Sequence, residues 1–149
     1  MQIIVDADAC PVKDIIEKVA KEFQIPVTMI IDTSHILSSD YSEIITVSKA
    51  ADAVDFAVIN RAKKGDIIVT QDYGVAAMAL GKGAYAIHQS GKWYTNDTID
   101  NLLMTRHLTK RAIRSSKKAH VKGPKKRTSE DDLHFESSFR SLCQHCLSN

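Results

Sequence analysis

The sequence predicts a single α/β domain in which a mainly parallel sheet of four or five strands lies between helices in three layers. Short apolar, β-branched runs alternate with amphipathic helical stretches as far as residue 87, the pattern of consecutive βα units. The chain has 149 residues, 44% of them hydrophobic, which is enough for one core without disulfide or metal support. With three cysteines, no basic leader and no long apolar run, we expect a cytoplasmic protein without a membrane segment.

The first βαβ unit carries two aspartates at the end of its first strand. The chain opens with an apolar run that stops at Asp6 and Asp8, which predicts a buried strand with both carboxylates at the edge where open α/β sheets bind ligands. Pro11 is expected in the first helical position, and apolar residues between 12 and 23 recur at the spacing of an amphipathic helix. The β-branched run at residues 27–31 predicts the second strand.

The middle of the chain continues this alternation. We predict a strand at 44–47, a helix at 52–62, a strand at 66–70, a helix at 75–80 and a strand at 84–87. Asp52 and Asp55 are three residues apart near the start of a helix, so they share one face. Asp72 follows its strand as Asp6 follows the first one. Asp66 stands at the opposite end of that strand, where we expect a structural role.

The last third of the chain predicts an edge segment and two helices. Residues 91–95 are expected to form a turn with an edge segment, and Asn96 or Asp97 to cap a helix that runs into a basic stretch. Ser129 and Asp132 have the spacing of a capping box at the start of a closing helix. C-terminal helices should therefore carry the basic part of the chain.

Charge divides the chain into an acidic α/β core and a basic C-terminal extension. Residues 1–105 hold 9 Lys or Arg and 14 Asp or Glu, whereas residues 106–149 hold 11 and 4. Such a basic block is typical of a segment that binds a polyanion, so nucleic acid, RNA in particular, is the expected partner; a solvated tail is the alternative. The residues expected to contact nucleic acid are Arg106, Lys110, Arg111, Arg114, Lys117, Lys118, Lys122, Lys125, Lys126 and Arg127.

The aspartates that follow the predicted strands are expected to converge. Parallel strands end at the same edge of a sheet, so Asp6 and Asp72 are expected on one edge. A helix that begins at Asp52 begins on that edge too if the strand before it is parallel, which adds Asp52 and Asp55. Clustered carboxylates repel one another unless protons or a cation intervene, and oxygen ligands suit Mg²⁺ or Mn²⁺. Such an ion is common equipment for phosphodiester hydrolysis. An aspartate after a strand can instead form a turn or cap a helix, and Asp52 is the most open to that alternative.

Four phrases of the sequence resemble one bacterial family. They are DADACPVK at 6–13, GDIIVTQDYG at 65–74, Tyr94-Thr95 with Arg106-His107-Leu108, and KGPKK at 122–126. They are similar to the YaiI/YqxD family, which resembles a branch of the PIN-like nuclease superfamily. The resemblance implies a PIN-like fold and an acidic Mg²⁺ or Mn²⁺ site. Carried over by position, it implies ligands at Asp6, Asp55 and Asp72, with Asp8 and Asp52 as further ligands or their neighbours.

The predicted activity is metal-dependent hydrolysis of phosphodiesters, most simply in RNA, with Asp6, Asp8 and Asp72 in the catalytic group. A nucleic-acid-binding protein without catalysis is one alternative. A small-molecule phosphatase is another, because an Asp-x-Asp after the first strand also opens phosphatases of the haloacid dehalogenase type. Trp93 and Tyr94 are candidates for stacking on a base, with an edge or core role as the alternative.

The cysteines are expected to pack rather than react. Cys143 and Cys146 have metal-ligand or redox spacing, but they lie on a predicted amphipathic helix, where core packing is the favoured interpretation. Cys10 beside the predicted acidic site is a candidate reactive thiol, and a small buried hydrophobe is the favoured alternative.

Overall fold

The computed structural model describes residues 1–115 and 126–148. Its strands are β1 Ile3–Asp6, β2 Val27–Asp32, β3 Glu43–Val47, β4 Ile67–Val69, β5 Tyr85–Ile87 and β6 Trp93–Tyr94. Its helices are α1 Lys13–Phe23, α2 Ala53–Arg61, α3 Tyr73–Gly81, α4 Asn96–Ser115 and α5 Ser129–Leu147. The described residues contain no helix that is long and apolar enough to cross a membrane.

The strands form one sheet in the order β3-β2-β1-β4-β5-β6. All neighbouring pairs are parallel except β5 and β6, which are antiparallel. The chain moves outward from β1 to β3 and then crosses back to place β4 on the other side of β1. This reversal makes the gap between the ends of β1 and β4 a topological switch point, the usual ligand site of such sheets.

Alternate residues of the central strands pack into two separate cores. Ile3 and Val5 lie in a cluster with Phe135 and Phe139 of α5 and the apolar face of α1. Ile4 lies in the other cluster, with side chains from α2 and α3. Because successive strand residues point to opposite faces, the sheet is covered on both sides and the layers number three.

The predicted α/β class, parallel sheet and three layers are confirmed. The sheet in the described part of the chain has six strands rather than four or five. The additional strand is the predicted edge segment, in which Ala86 pairs with Tyr94 and Ile87 with Trp93. A strand of two residues is too short to show an alternation of apolar and polar residues in the sequence. It is recognised as a strand only by its pairing with β5.

Three local predictions were wrong by one or two residues. Pro11 lies in a turn, and α1 begins at Lys13 after Val12. Thr95 takes the capping role expected of Asn96 or Asp97, since its hydroxyl accepts from the Thr98 N–H at 3.2 Å. The reciprocal bond runs from the Thr95 N–H to the Thr98 hydroxyl at 2.7 Å.

The capping box of α5 is the third of these corrections. It is formed by Thr128 and Asp131, not by Ser129 and Asp132. The Asp132 carboxylate instead accepts from Arg127 Nε at 2.7 Å. Thr128 with Asp131 and Ser129 with Asp132 have the same spacing in the sequence. Because Asp132 is paired with Arg127, the capping box is formed by Thr128 and Asp131.

Candidate functional site

Thr70 joins the aspartates at the ends of β1 and β4. Asp6 is the half-buried last residue of β1, and its Oδ2 accepts a hydrogen bond from the buried Thr70 hydroxyl at 3.0 Å. The same hydroxyl oxygen accepts from the Asp72 N–H at 3.1 Å. One side chain therefore sets the position of both aspartates relative to the switch point.

Asp72 is the N-cap of α3. Its Oδ1 accepts from the N–H groups of Gly74 at 2.7 Å and Val75 at 3.3 Å. A Cβ at Gly74 would lie 3.0 Å from this oxygen, so glycine permits the close approach. Asp72 therefore does cap a helix, which was the alternative to a ligand role. The cap uses Oδ1 alone, and the residue is exposed.

Asp55 and Asp52 approach from α2, which packs on the same face of the sheet as Ile4. Asp55 lies in the first turn of α2 and is half-buried. Asp52 precedes the helix with a positive φ of 64°, and its side chain makes no capping hydrogen bond. The helix-cap alternative therefore does not account for the Asp52 side chain.

The charges of these aspartates act on one another. Burial raises the pKa of Asp55 to about 6, with further contributions from the negative charges of Asp72, Asp6 and Asp52. Burial also raises the pKa of Asp6, against the hydrogen bond from Thr70 and together with the charges of Asp8 and Asp72. We call Asp6, Asp52, Asp55 and Asp72 the acid group. Their charges reach one another, but among the described residues no three of these four hold ligand atoms within 4.8 Å of one another, and their role as metal ligands stays a prediction.

Asp8 belongs to a neighbouring set of donors. Its Oδ1 accepts from the Asp32 N–H at 3.0 Å and lies 3.1 Å from His35 Nδ1. His35 Nδ1 is also 3.2 Å from Asp32 Oδ1. Hydrogen bonds from Ser34 and His35 lower the pKa of Asp32 to about 2. Within the described ranges, these three residues are the set whose ligand atoms all lie within 4.8 Å of one another.

Sequence reasoning missed two of these three residues. Asp32 and His35 fall in a polar stretch that was expected only to form a turn. A detectable signal was present, since Asp32 ends a buried strand as Asp6 does and has a histidine three residues later. Asp8 contributes charge to Asp6 but hydrogen-bonds to the β2 side, so the expected five-aspartate cluster divides into two adjacent sets.

Asp66 confirms the structural role predicted for it. The buried carboxylate lies at the opposite end of β4 from the acid group and accepts from the N–H groups of Gln2 at 3.2 Å and Lys63 at 3.0 Å. A second bond comes from the Gln2 side chain at 3.3 Å. This carboxylate ties the start of β1 to the start of β4.

The cysteines pack rather than form a donor set. Cys143 is fully buried in the α5 core, and burial raises its pKa to about 12. Burial raises the pKa of the half-buried Cys146 to about 11. Cys10 is buried near Asp6, and burial raises its thiol pKa as well. The expected packing roles are confirmed by this burial.

The basic segment, residues 106–127, is described in part. The backbone of Arg106, Lys110, Arg111 and Arg114 lies in α4, which runs into the basic stretch as predicted. Lys117, Lys118, Lys122 and Lys125 lie outside the described residues. Lys126 is exposed. Arg127 pairs with Asp132 and donates from Nη2 to the Gln89 carbonyl at 3.0 Å. The predicted phosphate contacts stay predictions.

The fold and this site together define an α/β protein with carboxylates gathered at the switch point of a parallel sheet. Residues 4–145 match the family described as "Uncharacterized BCR, YaiI/YqxD family". The chain belongs to this family.

Relatives in other bacteria match over nearly the whole length. A UPF0178 protein of Clostridium acetobutylicum is 66% identical over 142 residues, 95% of this chain and 96% of the relative. A UPF0178 protein of Lachnoclostridium phytofermentans is 64% identical over 143 residues, 95% and 96% of the two chains. One from Natranaerobius thermophilus is 44% identical over 142 residues, 95% of each chain. No solved structure matches this chain significantly.

Proposed function

We propose that this protein is a divalent-metal-dependent nuclease of the PIN-like type that hydrolyses phosphodiester bonds in RNA. The observation that supports the proposal is that Asp6 and Asp72 lie at the switch point, both hydrogen-bonded to the Thr70 hydroxyl, and that their charges reach Asp55 on α2. Carboxylates from two strand ends and one helix start supply oxygen donors alone, which suits Mg²⁺ or Mn²⁺ rather than softer metals.

Asp6, Asp55 and Asp72 would hold the metal, with Asp52 beside them. When bound, the ion polarises a phosphate oxygen and lowers the pKa of an attacking water. The chain's own residues supply position: Thr70 holds the Asp6 carboxylate in place, and the α3 cap fixes one oxygen of Asp72. The basic segment would bind flanking phosphates, whose charge the acid group alone would repel.

Metal binding and cleavage should be measured separately. Mn²⁺ should raise the melting temperature of the wild type, since a ligand that binds only the folded state stabilises it. The same preparation should cleave labelled single-stranded RNA only with metal. Asp6→Asn and Asp72→Asn should lose both effects, because asparagine keeps the hydrogen-bond acceptor, and at position 72 the cap, but removes the charge. Asp100→Asn, at an exposed position of α4, is the matched control.

The remaining outcomes separate the alternatives. Metal stabilisation without cleavage would favour a nucleic-acid-binding protein, and hydrolysis of a small phosphomonoester in place of RNA would favour a phosphatase. Cleavage that survives both substitutions would come from a contaminant. His35→Ala tests the neighbouring donor set: if it abolishes the Mn²⁺ effect and Asp55→Asn does not, the metal site is not the acid group.

A further inference from the structure

A cleft opens beside the acid group. It has a volume of about 490 Å³ and is lined by residues from β6, the start of α3 and the start of α4. Gln71 lines this cleft and also the small recess that contains Asp6 and Thr70. Tyr73, which follows Asp72 in the chain, is part of the lining as well. If the phosphate of a ligand lay at the acid group, the part of the ligand next to that phosphate would therefore reach the cleft.

Three of the lining residues are Tyr or Trp. Tyr94 is buried and donates from its hydroxyl to the Thr70 carbonyl at 3.2 Å, so it is anchored to the residue that positions Asp6. Trp93 is 36% exposed, but its indole is directed to α5, where the N–H donates to Ser138 at 3.0 Å and the ring lies 5.9 Å from that of His145. Tyr73 completes the set. Nucleobases stack on accessible aromatic faces, and the half-buried Tyr73 is the ring best placed to offer one to a ligand in the cleft.

Polar groups in the same lining can pair with the edge of a base. Gln71 and Asn101 bring side-chain amides, each able to donate and to accept. His88 Nδ1 accepts from the Ser90 N–H at 3.0 Å, so the neutral ring carries its proton on Nε2. Lys92 adds a positive charge to the lining. The combination of aromatic faces with a few polar groups is typical of a specific small-ligand cleft of this size.

We propose that this cleft binds the nucleobase of the RNA nucleotide next to the phosphate at the acid group. The choice of RNA as the ligand rests on the proposed function, but base binding itself requires no catalysis. A nucleobase fits the lining better than an apolar ligand because amides, an imidazole and a lysine stand among the aromatic rings. The cleft would also decide which nucleotide is placed at the site.

Trp93 is the single tryptophan of the chain and belongs to the cleft lining, although its indole packs on α5, so a change in its fluorescence reports ligand binding at or near the cleft. The full-length protein should be titrated in EDTA with each of the four nucleoside 5′-monophosphates, and with ribose 5-phosphate and inorganic phosphate as ligands without a base. We expect saturable quenching by at least one nucleotide and none by ribose 5-phosphate. Excitation at the long-wavelength edge of the tryptophan band avoids absorption by the bases.

Variants test whether the cleft is the binding site. Tyr73→Leu removes one stacking platform and should weaken nucleotide binding roughly 5- to 150-fold. Asn101→Met places a larger side chain in the cleft from an exposed position of α4, and it should weaken binding too. Phe56→Leu, an exposed aromatic on α2 outside the cleft, is the matched control and should bind as the wild type does.

The outcomes distinguish this inference from the proposed nuclease activity. Nucleotide quenching that depends on Tyr73 and Asn101, with no metal-dependent cleavage, would support the base site and refute the catalytic proposal. Metal-dependent cleavage with equal quenching by nucleotides and ribose 5-phosphate would refute the base site and leave the nuclease standing. Tight nucleotide binding unchanged in both cleft variants would also overturn the inference.

Discussion

Replacing Asp55 by asparagine is expected to stabilise the folded protein at neutral pH when divalent metal is absent. The pKa of Asp55 is raised from 3.8 to about 6 by burial and then by the charges of Asp72, Asp6 and Asp52. A carboxyl group with a raised folded-state pKa loses its stabilising contribution as pH rises through that value, because the folded state disfavours the ionised form. The difference between the two values corresponds to about 3 kcal/mol. Solvent screening at this partly exposed position reduces it to about 1–2 kcal/mol.

The measurement is a melting temperature by circular dichroism in EDTA. At about pH 7.5 the Asp55→Asn variant should melt about 3–6 °C above the wild type. The gap should narrow toward about pH 5, because the wild-type carboxyl then binds its proton in the folded state. Asp100→Asn, exposed on α4, should match the wild type. A variant that melts below the wild type at the higher pH, with this control unchanged, would refute the claim that the acid group destabilises the metal-free fold.

Three further outcomes are expected. Thr70→Val should cost about 1–3 kcal/mol in urea unfolding, because the Asp72 N–H loses its acceptor and Asp6 its donor, whereas Thr70→Ser should retain most of the stability. Phe139→Ala should cost about 3–5 kcal/mol, since its fully buried ring stacks on Phe135 at 5.3 Å; the exposed Leu133→Ala should cost far less. The logarithm of the RNA-binding constant should fall with the logarithm of the salt concentration at a slope of about −3 if about four phosphates are neutralised. A variant with glutamine at Arg111, Arg114, Lys117 and Lys118 should show a flatter slope. An unchanged slope in that variant would contradict a role for the basic segment in RNA binding.

The sheet could be predicted because its central strands are buried on both faces. Residues 3–5 and 67–69 are continuous apolar runs, and a parallel strand covered by helices requires that composition. The same reasoning placed Asp6 and Asp72 at one edge, since parallel strands end together. These features depend on the local sequence and on one rule of topology, so no contact between distant residues had to be known.

The division of the acidic site could not be predicted in the same way. Asp8 lies in the turn after β1, and its direction is decided by the pairing of β1 with β2, which places the Asp32 N–H within 3.0 Å of its carboxylate. The α5 cap is a similar case. Both Thr128 and Ser129 have an aspartate three residues later, and the Arg127 contact with Asp132 distinguishes them. Each outcome depends on a partner that the local pattern does not contain.

The basic segment and the acid group are connected by a contact that the sequence alone did not reveal. Arg127, at the C-terminal end of the segment, donates to the Gln89 carbonyl, and Gln89 lines the recess that contains Asp6. The positive charge of Arg127 also acts on Cys10 and His88, which flank that recess and the cleft. One end of the segment is therefore held beside the carboxylates that would repel an RNA phosphate. If the segment binds the phosphates flanking the site, Arg127→Gln should weaken RNA binding and leave Mn²⁺ stabilisation intact, whereas an equal loss of both would mean that Arg127 only supports the fold.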